Sequence, residues 1–142
     1  MALFPLDYGE LLRPSYRILP SRGWGQCSNL TDEFLIVYGP KHVEENSIFD
    51  TSPYVLPPGR TTPDGWDCDG FFVPSDRSLR RARRTQSGPL AVKFWNSRRF
   101  AVRREGKSDT YRSSWANGIF EPSQINWAIP NLPYAEILTR VT

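Results

Sequence analysis

The chain has 142 residues, of which 39% are apolar, 13% aromatic and 23% charged, with a net charge of +3. These values fit one globular domain and exclude a disordered chain. No apolar run approaches the roughly 18 residues of a membrane-spanning helix, and thirteen prolines spread from Pro5 to Pro133 speak against long helices of any kind.

The first segment mixes apolar and acidic positions. Leu6, Tyr8, Leu11 and Leu12 fit one side of a short helix that ends before Pro14. It has neither the basic start nor the unbroken apolar core of a signal peptide, and Asp7 and Glu10 do not suit a transit peptide. The expectation is a protein kept in a cytosol, or one exported without a cleaved signal. Ser15 to Leu19 reads as a strand, and Ser21 to Asn29 as a glycine-containing loop. Phe34 to Tyr38 is a continuous apolar run whose β-branched content favours a buried strand. Lys41 to Asp50 is a polar turn. Pro53 to Leu56 and Gly70 to Val73 are short strands, separated by a long turn from Arg60 that carries Asp64, Asp67 and Asp69.

Ser75 can cap a helix to about Gln86, with Gly88 and Pro89 beyond its end. Arg77, Arg80, Arg81 and Arg84 would then share one face, at helical spacing. Pro89 to Trp95 and Arg99 to Arg104 read as a β-hairpin. Alternation in its second strand puts Phe100 and Val102 on one face and Arg99, Ala101 and Arg103 on the other. Tyr111 to Phe120 is ambiguous; Asn126 to Ile129 and Ala135 to Val141 read as closing strands. The fold class is therefore α+β: a β-rich single domain over 1–142, of seven to nine short strands and one or two short helices.

Charge is unevenly spread. Between Arg77 and Arg112 stand ten Arg and two Lys against Glu105 and Asp109, a local charge of +10, while the rest of the chain carries −7. Arg is the residue that grips phosphate and carboxylate with two parallel hydrogen bonds. With Phe94, Trp95, Phe100, Tyr111 and Trp115 interleaved, the segment has the composition of a polyanion-binding surface: arginines for phosphates, rings for bases. Arg77, Arg80, Arg81, Arg84, Arg99 and Arg103 are the candidate contacts. The plain alternative is that the basic segment folds against the acidic flanks and neutralises itself.

Other chemistry is thinly provided for. Cys27 and the single histidine, His42, are the one thiol–imidazole combination, and the chain has no histidine further downstream to complete a papain-like site. Asp67, Asp69 and Asp76 fit a calcium-loop register, but its first position falls on Gly65, which has no carboxylate. No metal site is expected. Cys27 and Cys68 allow one disulfide at most, and in a reducing compartment they stand as thiols.

One further pattern is an order of residues: Arg17 in SYRIL, Ser47 in NSIFD, then Gln124 in PSQINWAIPNLPYAEIL. This order resembles small bacterial NAD-using toxins with an ADP-ribosyltransferase-like fold, among them type VI secretion effectors and the NAD-glycohydrolase necrotising toxins. LPPG at Leu56 to Gly59 and GFFVP at Gly70 to Pro74 echo the latter group. The resemblance covers about a third of the chain, without the Ser-Thr-Ser, Glu-x-Glu or GTQY segments of such families. It implies that NAD is the substrate. Arg17 would bind the NAD phosphates, Ser47 would support the nicotinamide ribose and Gln124 would act near the scissile bond, while Tyr54 and Trp95 would clamp the nicotinamide. Two readings follow. One is an NAD glycohydrolase or ADP-ribosyltransferase. The other is a non-enzymatic basic assembly protein, a phage or ribonucleoprotein component. The partner would be an acidic protein, as inhibitor or assembly neighbour, or a nucleic acid, with no membrane involved.

Overall fold

The computed structural model describes residues 25–40, 51–94, 99–113 and 116–141. Ten strands form two five-stranded sheets. Sheet A has the order β1 (Gln26–Asn29), β8 (Arg99–Arg104), β9 (Thr110–Ser113), β5 (Ser78–Arg81), β6 (Arg84–Ser87). Sheet B has the order β10 (Gly118–Phe120), β7 (Leu90–Lys93), β4 (Gly70–Val73), β2 (Leu35–Tyr38), β3 (Tyr54–Leu56). Sheet B is antiparallel throughout; sheet A includes two parallel pairs, β1 with β8 and β5 with β9. A 3-10 turn (Pro122–Gln124) and one helix, α1 (Tyr134–Val141), complete the described chain. The β-rich class read from the sequence is the observed one.

The two sheets bury their facing sides against each other. Cys27, Phe100, Val102, Leu79 and Tyr111 from sheet A meet Leu35, Val37, Leu56, Phe71, Val73, Leu90 and Val92 from sheet B. Sheet B is covered on its other side as well, where Ile36, Tyr38, Phe72 and Ala91 pack on Ile129, Ile137 and Trp127. Burial on both faces is why β2 and β4 are continuous apolar runs, whereas β5 and β8 alternate. Gly70 is needed where β4 runs beside β7, because a Cβ there would collide with the Val92 carbonyl and with the Tyr38 hydroxyl that donates to it.

Cys27 on β1 and Cys68, just before β4, form a disulfide that ties one sheet to the other. Hydrogen bonds run alongside it: the Cys68 amide donates to the Gly25 carbonyl at 3.0 Å, and the Gly25 amide donates to Asp67 Oδ1 at 2.7 Å. Burial pushes the Asp67 carboxyl above the usual range, against the Gly25 amide and the Lys93 charge. The open side of β1 is covered by the segment around Thr61, where Thr62 donates to the Cys27 carbonyl and Asn29 to that of Arg60. Buried Asn29 has both side-chain ends satisfied. Its Nδ2 donates to the Glu33 and Leu56 carbonyls, and its Oδ1 accepts from the Thr31 amide and hydroxyl.

Several expectations need correction. The helix from Ser75 to Gln86 is a β-hairpin, β5–β6, turning at Ala82 with φ of 50°. Leu79 and Ala82 alone would have given that helix almost nothing to bury. As a strand, the segment sends Leu79 into the core and Arg80 outward. β7 and β8 are not a hairpin; each joins a different sheet, and Phe94 stacks on Phe100 between them. Asn126 to Ile129 is not a strand, and the closing segment is helical: Tyr134, Ile137 and Val141 line one side and pack on sheet B. The ambiguous stretch holds β9 and β10. Cys27, sequestered in the disulfide, has no thiol to pair with a base. His42, the Ser15 to Leu19 strand and the Lys41 to Asp50 turn lie outside the described residues, as does the N-terminal helix.

The disulfide closes a sequence separation of 41 residues, a length for which cross-linking stabilises by about 2–4 kcal/mol. Cys27→Ala/Cys68→Ala should lose that much in denaturant unfolding, and the wild-type protein should show no titratable thiol until it is both unfolded and reduced.

Candidate polyanion-binding face

Among the described residues, no element covers the side of sheet A turned away from the core. Its side chains follow from register. Val102, Tyr111 and Leu79 point inward, so their neighbours Arg103, Arg112 and Arg80 point outward. Arg103 pairs with Arg112 across β8 and β9, and Arg112 pairs with Arg80 across β9 and β5. The three arginines therefore stand side by side on adjacent strands, a row about 10 Å long at the usual 4.8 Å strand spacing. All three are exposed. At the hairpin tip Arg81 pairs with Arg84, and Arg83 occupies the turn between them, again exposed. Like charges directly opposite one another destabilise a sheet. Stability of the fold therefore gives no reason for these pairings.

Among the described residues, counter-charge on this face is sparse. Glu105 reaches Arg80 at 3.9 Å and Arg112 at 3.8 Å, long contacts between partly exposed groups. Such pairs contribute about 0–1 kcal/mol. Glu105 is presented by the tight β8–β9 turn, in which Gly106 adopts φ of 59° and Ser108 donates back to the Glu105 carbonyl. A recess of about 530 Å³ opens on the face, lined by Arg80, Arg81, Arg103 and Arg112 around Ala101.

Arg77 and Arg104, of the same segment, serve the interior instead. Arg77 grips Glu33 with two hydrogen bonds of 3.0 Å, Nε to Oε2 and Nη2 to Oε1, with both side chains only 10% exposed. The Tyr111 hydroxyl donates to Glu33 Oε2 at 2.5 Å. Arg104 meets Asp32 at 3.1 Å and Glu33 at 3.4 Å, and both arginines lie 3.5 Å from Asp109. Arg77 also stacks on the Tyr134 ring at 4.6 Å, while the Tyr134 amide donates to Asp76 at 2.8 Å. The hydrogen bond to Glu33 holds the Arg77 proton more tightly than an ordinary guanidinium does. Burial, then the Glu33 bond, pushes the Tyr111 phenol well above its usual range, and the Arg104 hydrogen bond lowers Asp32.

The predicted contacts thus divide. Arg80, Arg81, Arg84, Arg99 and Arg103 lie on the exposed part of sheet A; Arg77 does not, because Glu33 holds it inside. The neutralised reading holds for Arg77 and Arg104 and fails for Arg103. Phe94, Phe100 and Tyr111 are at most 4% exposed, so they are core and not a stacking platform. Trp95, Trp115, Arg17 and Ser47 lie outside the described residues. Gln124 is exposed in the 3-10 turn, where its Oε1 accepts the Glu121 amide at 2.8 Å. Tyr54 packs edge-on against Trp66. Nothing described brings Gln124 and Tyr54 together with the other members of the NAD set. Among the described residues no three His, Cys, Asp or Glu side chains form a metal-binding group. Glu33 carried no sequence signal, since its partners Arg77 and Tyr111 lie 44 and 78 residues away. No known protein family, curated protein or solved structure matches the chain.

The buried network makes Glu33 the more sensitive end of the fold. Glu33→Gln should destabilise by about 2–4 kcal/mol, because it leaves Arg77 buried beside a neutral amide. Asp32→Asn, at an exposed member of the same network, should change stability by less than about 1 kcal/mol in the same urea titration.

Proposed function

We propose that this protein binds nucleic acid through its phosphate backbone, as a non-enzymatic component of an assembly, with the open side of sheet A as the docking surface. The observation that carries this reading is the in-register row Arg103–Arg112–Arg80, joined by Arg81 at the shared recess, with exposed Arg83 and Arg84 beyond it at the hairpin tip. Guanidinium groups match phosphate geometry, and several of them on one face release counterions together when a charged backbone docks. Two further features favour nucleic acid over an acidic protein. A packed protein interface is anchored by apolar or aromatic side chains at its centre, and among the described residues Leu30 is the only exposed large hydrophobic. Among the described acidic groups, Asp32, Asp76 and Asp109 are gathered around Arg77 and Arg104 instead of this face, where Glu105 makes only long contacts with Arg80 and Arg112. With Phe94, Phe100 and Tyr111 in the core, binding should tolerate sequence, since phosphate contacts position a nucleic acid without reading it.

Fluorescence anisotropy with labelled 20-nucleotide single strands and duplexes, across a salt series, tests the reading. About four phosphate contacts predict log K falling with log salt at a slope of about −3 to −4, with little difference between base sequences. Arg103→Ala and Arg112→Ala should each reduce the slope by about 1. No binding at low salt, with retention on immobilised poly-glutamate, would replace the nucleic acid with an acidic protein partner.

A further inference from the structure

We infer that the recess over Ala101 is a receptor for an oligophosphate group, a diphosphate or triphosphate. This deepens the reading above and rests on the same arginine face. The backbone row and the hairpin tip converge here: Arg80, Arg103 and Arg112 come from three adjacent strands, and Arg81 comes from the tip. The volume of about 530 Å³ falls in the range of small-molecule sites. Ala101 stands among the arginines on β8, an inner strand of sheet A, and its short side chain leaves room between the longer ones.

Charge selects the ligand. Among the described residues, the four guanidinium groups lining the recess and the Glu105 carboxylate beside them sum to +3. An internal phosphodiester brings one negative charge, and a terminal phosphate monoester about 1.5 to 2. A diphosphate or triphosphate comes closest to matching the site. Glu105 acts as a placeholder on Arg80 and Arg112. Its contacts of 3.8 and 3.9 Å are weak beside the 3.0 Å grip of Glu33 on Arg77, so a phosphate oxygen can displace it. Charge-assisted bonds from several guanidinium groups to one anion are stronger than the exposed pairs they replace.

The ligand can be the phosphorylated 5′ end of a nucleic acid or a free oligophosphate, and the test separates the two. Inorganic pyrophosphate is titrated into the protein by calorimetry at constant ionic strength, with sulfate as the control. The same oligonucleotide is then compared with a 5′-triphosphate and with a 5′-hydroxyl. Pyrophosphate should bind at least 10-fold more tightly than sulfate. Ala101→Leu, which fills the recess without changing charge, should weaken pyrophosphate binding at least 10-fold while leaving the 5′-hydroxyl oligonucleotide within about 2-fold. Glu105→Gln should strengthen pyrophosphate binding about 2- to 5-fold. Arg103→Gln, at an exposed position, gives a second route to loss of binding should Ala101→Leu fail to fold.

A preference for the triphosphate-ended oligonucleotide places the recess at a nucleic-acid terminus. Pyrophosphate binding without that preference makes free oligophosphate the ligand. Equal affinity for pyrophosphate and sulfate, or pyrophosphate binding indifferent to both Ala101→Leu and Arg103→Gln, overturns the inference even where the salt-dependent binding of nucleic acid stands. Absence of nucleic-acid binding with pyrophosphate binding intact overturns the wider reading instead.

Discussion

The contact on which much of the architecture turns is the grip of Arg77 on Glu33. Glu33 precedes β2 of sheet B, Arg77 precedes β5 of sheet A, and Tyr111, from the middle of sheet A, donates to the same carboxylate. Tyr134 extends the cluster to the helix that covers the outside of sheet B: its ring lies under Arg77 and its hydroxyl accepts the Phe34 amide. One carboxylate thus fixes how two sheets and a helix sit together. Such a pair is costly to desolvate, and its geometry has to be good to repay that. Two bonds of 3.0 Å to Arg77, with Tyr111 on the same carboxylate, meet the condition.

That cluster also sorts the charge of the protein. Arg77 and Arg104 are drawn into it with Asp32, Asp76 and Asp109, which leaves that corner with more carboxylates than guanidinium groups. Arg80, Arg103 and Arg112 stay on the opposite side of sheet A, with Glu105 the acidic neighbour of Arg80 and Arg112. The +10 segment is therefore two things at once: a structural clamp where its first arginine meets the acidic flank, and an open surface where β5, β8 and β9 run side by side.

How much of this could be read from the sequence depended on whether the signal was local. Phe34 to Tyr38, Tyr54 to Leu56 and Gly70 to Val73 are short apolar runs closed by Pro or Gly, and they are strands. Alternation correctly set Arg99 and Arg103 opposite Phe100 and Val102. The segment from Ser75 to Gln86 misled because arginines at helical spacing look like a face, while the deciding fact was the pairing of Leu79 with Tyr111, 32 positions on. Ala135 to Val141 misled in the other direction, its helical stripe being short enough to pass for a strand. The candidate surface was legible as charge and illegible as geometry. No local pattern announces that Arg80, Arg112 and Arg103 come into register, that Cys27 meets Cys68, or that Glu33 removes Arg77 from the surface. The aromatic residues between the arginines looked like base-stacking rings, and the fold uses Phe94, Phe100 and Tyr111 as core instead.

The proposal requires that the outer side of sheet A, and no other surface, meets the polyanion. Hydrogen–deuterium exchange with and without a saturating 20-nucleotide single strand tests this most directly. Protection should appear over residues 80–85 and 99–112, with exchange unchanged in α1 and across β3. Protection centred on α1 or β3, or none at a concentration where anisotropy reports binding, would contradict it.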